Sequence, residues 1–270
     1  MPCQNSTLSN YRMTISYDGR NYLGWQRHGD KPTVQYALEQ AVEQLFHIRS
    51  AVRGSGRTDR GAHANGQVAS VELPAGLQRD EVKAQLNDLL ADSVRVEDVS
   101  NVPSEFHACN SAIGKHYRYV IWNDKKLPAE RDGRVWHVKS RLDVEAMINA
   151  CSVFEGEHDF ASFATRPNFK QKMTTRVVSR AVMRQDLPLI IFDICANGFL
   201  YKMVRNIVRA IVKVGEGRYT REDLCRILEA KDRRASPGTA PASGLYLEKV
   251  YYSQDEMNQD IQELLLDEHI

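Results

Sequence analysis

The chain has 270 residues, 42% hydrophobic and 26% charged, with a formal net charge of +1. This is the composition of an ordinary globular protein, long enough for one large domain or two of moderate size. No apolar run approaches the roughly 20 residues that span a bilayer, and residues 1–10 lack both an apolar signal core and a basic leader, so the expected location is the cytoplasm with no membrane contact.

Residues 11–17 alternate in polarity and predict a strand that runs into the turn Asp18-Gly19-Arg20-Asn21. Thr33 is a candidate N-cap for a helix with Val34, Leu38, Ala41, Val42, Leu45 and Phe46 on its inner face. A strand is expected to lead into a Gly-rich loop at 54–63. Residues 67–73 form the next, with Ala69, Val71 and Leu73 on one side, followed by a helix over 82–90 and a strand over 94–99. In the second half, 117–122 reads as a strand and 144–154 as a helix with Val144, Met147, Ile148 and Cys151 inward. A hairpin over 177–183 and 189–196 turns at Gln185-Asp186-Leu187-Pro188. The longest helix spans 199–214, a shorter one 221–230, and 245–252 closes as a strand. Each half has the order of a split β-α-β unit. The expected fold is therefore α+β, with antiparallel sheets, helices on one face and a cleft between halves of 1–103 and 104–270.

Five cysteines without a C-x-x-C pair and eight histidines without H-x-x-x-H spacing support neither a disulfide framework nor a metal site. The near-zero net charge conceals segregation. Residues 109–141 hold eight Lys/Arg against three acids and residues 163–185 hold six and none, while the last seventeen residues carry six acids and neither Lys nor Arg. The basic stretches have the form of a polyanion-binding surface, with solvated faces as the plainer alternative. The acidic end reads as a solvated helix.

Three segments stand out for chemistry. Gly54-Ser55-Gly56-Arg57-Thr58-Asp59-Arg60-Gly61-Ala62-His63 sets one carboxylate in a turn between two arginines. Its glycines permit positive φ and close approach of a ligand. The guanidinium groups of Arg57 and Arg60 favour the charged carboxylate and seek phosphates. The pattern suits a nucleophile acting on nucleic acid, and taken alone it also suits a decorated surface turn. On the long helix, Lys202, Arg205, Arg209 and Lys213 form a basic stripe beside the apolar face of Phe199, Met203, Val204, Ile207, Val208, Ile211 and Val212. Arg205 lies at the edge of that face and calls for a carboxylate partner, for which Asp59 is the candidate. In Lys115-His116-Tyr117-Arg118-Tyr119, alternation places both tyrosines on one face and His116 and Arg118 on the other. Tyr117 is a candidate base-stacking residue, a contact worth about 1–3 kcal/mol per base; Tyr119 is expected in the core.

Gly56-Arg57-Thr58-Asp59-x-Gly61-x-His63 resembles the catalytic motif of the TruA family of tRNA pseudouridine synthases. The resemblance continues in order through Tyr17-Asp18-Gly19 with Gly24-Trp25-Gln26, Phe106-His107-Ala108, Tyr117-Arg118-Tyr119, His158-Asp159-Phe160-x-Ser162-Phe163, Met203-Val204-Arg205-Asn206-Ile207-Val208 and Ala240-Pro241-x-x-Gly244-Leu245-Tyr246-Leu247. It implies two ferredoxin-like halves forming a continuous, mostly antiparallel sheet, with the site in a central cleft. It further implies isomerisation of uridine to pseudouridine at positions 38 to 40 of the anticodon stem-loop, a homodimer, and no cofactor or metal. By motif, Asp59 is the catalytic carboxylate, Tyr117 packs on the flipped uracil, Arg205 pairs with Asp59, Leu245 lines the pocket and Arg57 helps extrude the base. The basic stretches, with Arg60, Lys115, Arg118, Lys170, Lys172, Arg176, Lys202 and Arg209, are the expected contacts to the RNA backbone.

The chain departs from the family at Arg60, where Ala is usual, at Ala62 for Val, at Asn87-Asp88-Leu89-Leu90 for an Asn-x-x-Leu-Pro pattern, and at Arg209 for Gly. None of these removes a proposed catalytic group; Arg60 puts the substrate range in question. The residues alone also suit a non-catalytic RNA-binding module. A nuclease or phosphoryl transferase built on Asp59 has no second acid beside it and no P-loop to support it.

Overall fold

The computed structural model describes residues 7–165 and 173–266. It divides into two compact units, Met1–Ala112 with Leu247–Val250, and Ile113–Tyr246 with Tyr251–Ile270. Both are α+β, with mostly antiparallel strands.

In the first unit, β1 (Leu8–Tyr17) is followed by α1 (Val34–Phe46), the short β2 (Arg53–Gly54), β3 (His63–Pro74), α2 (Arg79–Leu89) and β4 (Val94–Asn101). β1 is the central strand, antiparallel to β3 on one side and to β4 on the other. β2 pairs with β3 through Arg53↔Ser70 and Gly54↔Ala69. Alternate β1 residues Tyr11, Met13 and Ile15 are fully buried. Thr33 caps α1 as expected, accepting from the Tyr36 N–H, and the helix buries Val34, Leu38, Ala41 and Val42.

The second unit contains β5 (Gly114–Trp122), β6 (Trp136–His137), α3 (Val144–Cys151), β7 (Gly156–Asp159), β8 (Thr175–Asp186), β9 (Leu189–Ala196), α4 (Met203–Gly215) and α5 (Arg221–Ala230). β10 (Leu245–Tyr251), of which Leu247–Val250 count with the first unit, and α6 (Gln254–Leu266) follow. β9 pairs antiparallel with β5 and with β8, β8 with β7, and β6 lies parallel to β5. The expected hairpin joins β8 to β9 through Asp186↔Leu189.

Several expectations are corrected. The long helix begins at Met203, not Phe199, because Lys202 has φ 61°, and a residue in the left-handed region ends a right-handed helix. Ile148 is exposed; the inner face of α3 is Val144, Met147, Ala150 and Cys151. The acidic end is wet on one face only, since Met257 and Leu264 of α6 pack on Val182, Cys195 and Tyr251. Burial among these side chains pushes the Cys195 thiol up to about 12, leaving it a neutral packing group.

That same face of the sheet carries a buried charge. Asp193 on β9 is fully inaccessible and is paired from both neighbouring strands. His116 Nε2 donates to Oδ1 at 2.7 Å, Arg118 Nε to Oδ1 at 2.9 Å, and Arg184 donates to Oδ2 at 2.7 Å. Burial disfavours the charged carboxylate, but the hydrogen bond and charge of His116 and the guanidinium of Arg118 outweigh it and hold the carboxyl below its usual range. Asp193→Ala leaves these cations without a counter-charge and is expected to cost about 3 kcal/mol at pH 7, measured by urea denaturation. Because folding lowers this pKa, the contribution is complete above the unfolded value of about 3.9 and is lost as pH falls through the lower folded value. The stability difference between wild type and variant therefore narrows in acid.

Candidate active site

In the first unit, the Asp59 loop is fixed on both sides of the carboxylate-bearing residue. Tyr17 at the end of β1 places its hydroxyl 2.8 Å from Thr58 Oγ1. Gln67 of β3 donates to the Gly56 carbonyl at 2.9 Å and accepts from Ser55 Oγ at 2.7 Å. The Ser55 N–H donates to the Val68 carbonyl at 2.7 Å. Ser55, Thr58, Gln67 and Tyr17 are all buried. Burial pushes the Tyr17 phenol up to about 12, against the hydrogen bonds from Thr58 and Gln67, so it remains a neutral hydroxyl.

The backbone is held as well. Trp25 N–H donates to Thr58 O at 3.2 Å and Ala62 N–H to Asp59 O at 3.1 Å. The carbonyls of Gly24 and Trp25 accept from Val34 and Gln35, so the same two residues satisfy orphan donors at the start of α1 and brace the loop. Gly24 has φ 96°, and a Cβ there would stand 2.5 Å from Thr58 O. Of the three loop glycines only Gly61 takes a positive φ, 79°. Gly54 is required for space: its Cβ would lie 2.4 Å from the buried Trp25 indole. Asp59 itself is half-buried, with Arg57 and Arg60 exposed on either side. His63 Nδ1 accepts from the Gly19 N–H at 3.2 Å, binding the far end of the loop to the turn after β1.

In the second unit, Tyr117 is buried and meets Phe199 edge-on, with ring centroids 5.0 Å apart. Tyr119 is fully buried and its hydroxyl donates to the Pro241 carbonyl at 2.7 Å. Arg205 on α4 donates from Nε to the Ala240 carbonyl at 2.7 Å, and the Ala240 N–H returns to the Arg205 carbonyl. Asn206, fully buried, donates to Phe163 O at 2.5 Å and accepts from Thr239 Oγ1 at 2.6 Å. α4 and β5 together thus fix the Thr239–Pro241 segment that precedes the buried Leu245. From sequence alone Asn206, within the long-helix motif, and Gln67 and Asp193 carry no assigned role. For Asn206 and Asp193 the signal is a polar residue whose neighbours two positions away are apolar on both sides; Gln67, between Asn65 and Ala69, carries none.

The expected backbone contacts fall into different settings. Arg118 is bound to Asp193. Arg209 lies over the Trp136 ring at 5.4 Å with Glu216 3.8 Å away. Arg176 donates to the Thr175 and Met173 carbonyls, and burial lowers its pKa. Lys115 and Lys202 are half-buried, Arg60 is exposed, and Lys170 and Lys172 lie outside the described residues.

Residues 13–110 and 150–253 match the family model described as tRNA pseudouridine synthase. A protein of Methylacidiphilum infernorum (isolate V4) named tRNA pseudouridine synthase A is 43% identical over 252 residues, covering 93% of this chain and 99% of that protein. Proteins of the same name from Geobacter sp. (strain M21) and Acetivibrio thermocellus are 39% and 37% identical, over 92% and 91% of this chain and the full length of each relative. With the ordered motifs on these elements, the chain belongs to the tRNA pseudouridine synthase family, a family of isomerases.

Proposed function

We propose that this protein isomerises uridine at positions 38 to 40 of the tRNA anticodon stem-loop, with Asp59 as the nucleophile on a flipped-out base. The observation that carries this reading is the buried hydrogen-bonded ring of Tyr17, Thr58, Gln67 and Ser55, which immobilises the loop while Arg57 and Arg60 stay exposed beside Asp59. A nucleophile is effective when its position is settled before the substrate arrives.

The reaction breaks the N1–C1′ bond, turns the uracil, and joins C5 to C1′, with the C5 proton lost and N1 protonated. No atom is gained overall. Asp59 serves by attack at C6, by attack at C1′, or by removing the 2′ proton in a glycal route. The base is unreachable in a stack, so extrusion costs a few kcal/mol. Arg57 fills the vacated space, Tyr117 packs on the uracil, Leu245 excludes water and Arg205 aims the carboxylate. Arg60, Lys115, Arg176 and Lys202 take phosphates, whereas Arg118 and Arg209 serve the fold. The protein acts in the cytoplasm as a homodimer, for which sedimentation should give twice the 30.7 kDa chain mass.

Asp59→Asn is expected to bind unmodified tRNA transcript as wild type does and to form no pseudouridine. Substantial residual turnover refutes the nucleophile assignment. Gly24→Ala forces a Cβ against the Thr58 carbonyl and should lower turnover at least about tenfold, with a stability loss of about 1–3 kcal/mol. Single-turnover kinetics alongside urea melts check both effects; unchanged turnover would show that the loop position does not limit the chemistry.

A further inference from the structure

Phe199 packs edge-on against Tyr117, and two residues later the chain presents a second ring to solvent. Tyr201 is 52% exposed, and among the described residues it is the one aromatic side chain left more than half exposed. The backbone that carries it is fixed. Its carbonyl accepts from the Thr165 N–H at 2.9 Å, Leu200 beside it is buried, and the Met203 N–H closes onto the Leu200 carbonyl at 3.0 Å. Lys202 next holds the left-handed conformation, φ 61°, an unfavourable state for a residue with a side chain and one found where surrounding structure dictates it.

A cation lies over the ring. Lys202 Nζ stands 5.1 Å from the Tyr201 centroid. Arg176 lies by the chain three residues before Tyr201, with Nε 3.6 Å from the space a Cβ on Gly198 would take, and its Nη1 is anchored to the Thr175 carbonyl at 2.6 Å. An exposed aromatic ring with cations close by in the chain is the composition of a single-strand platform, where bases stack and phosphates are neutralised. A rigid tyrosine loses little side-chain freedom on such contact. Two residues of extended chain reach about 7 Å, and stacked nucleotides advance about 3.4 Å each. With the 5.0 Å between the Tyr117 and Phe199 rings added, Tyr201 lies at most about three to four nucleotide steps from a base seated at Tyr117.

We propose that Tyr201 is a stacking platform for a nucleobase within about four nucleotides of the target uridine, with Lys202 and Arg176 holding nearby phosphates. This rests on the reading that Tyr117 receives the target base.

The test measures binding of labelled, unmodified tRNA transcript by fluorescence anisotropy in the Asp59→Asn background, where no turnover intervenes. Tyr201→Ala should weaken binding about five- to a hundredfold. Tyr201→Phe, which keeps the ring, should stay within about twofold. The slope of log affinity against log salt should be unchanged in Tyr201→Ala and should fall by about one in Lys202→Gln, since only the latter removes a phosphate contact. Thermal melting controls for folding, and an exposed side chain should leave it unmoved. Wild-type affinity in Tyr201→Ala, or equal loss in Tyr201→Phe, overturns the proposal. Failure of the isomerase reading looks different: no pseudouridine from a protein with Asp59 intact, whatever the binding of the Tyr201 variants.

Discussion

The 2.8 Å contact between the hydroxyls of Tyr17 and Thr58 joins the end of a central strand to the residue immediately before Asp59. The rest of the first unit is arranged around it. A register shift in the β1–β3 pairing between Ile15 and Tyr17 re-aims the tyrosine, as bulges commonly do next to active sites. Gln67, on the paired strand, reaches both the Gly56 carbonyl and Ser55. Each of these polar groups is buried, and a buried donor or acceptor left unmade costs about 1–3 kcal/mol. The ring is stable only when complete, so the loop has one favoured arrangement.

The second unit applies the same rule with stronger partners. Arg205 and Asn206, adjacent on α4, fasten the helix to Ala240, Thr239 and Phe163 through backbone and side-chain bonds. On β5, Tyr117 stands between His116 and Arg118, and both of those neighbours end on the buried Asp193 carboxylate. A charge taken out of water is tolerated only when it is fully paired. The strand that presents Tyr117 is therefore anchored from its opposite face.

Periodicity made most of the elements legible. The apolar stripe of α4, the α1 cap at Thr33 and the alternation of β5 follow from side-chain spacing alone, and all three stand in the structure. Long-range requirements were not legible. Phe199 and Leu200 continue the apolar period of α4, so nothing local shows that Lys202 turns into the left-handed region. Gly54 read as a source of backbone freedom, yet it is small because the Trp25 indole occupies the space, and that neighbour is 29 residues away in the chain. Met257 stands among polar and acidic residues and Leu264 opens a short leucine run, and their burial depends on a sheet face that the sequence of α6 does not describe.

Charge pairing was not legible for a related reason. A run of Lys and Arg records how many cations the chain makes, not which of them face solvent. Asp193 engages Arg118 and Arg184; Glu216 lies within reach of Arg209 and Lys213. Burial opposes the charged form of Glu216 too, but the Lys213 hydrogen bond and the surrounding cations hold its carboxyl below the usual range. These pairs are settled before any polyanion approaches, and a cation already matched to a carboxylate adds little counterion release on binding. Exposed cations stand both on the turn at Arg57 and Arg60 and along the basic stretch at Lys125, Lys126, Lys139 and Arg141. The turn that carries Arg57 and Arg60 is also the segment pinned by the Thr58 contact. At that turn, placement of positive charge and placement of the candidate catalytic group are thus one structural problem.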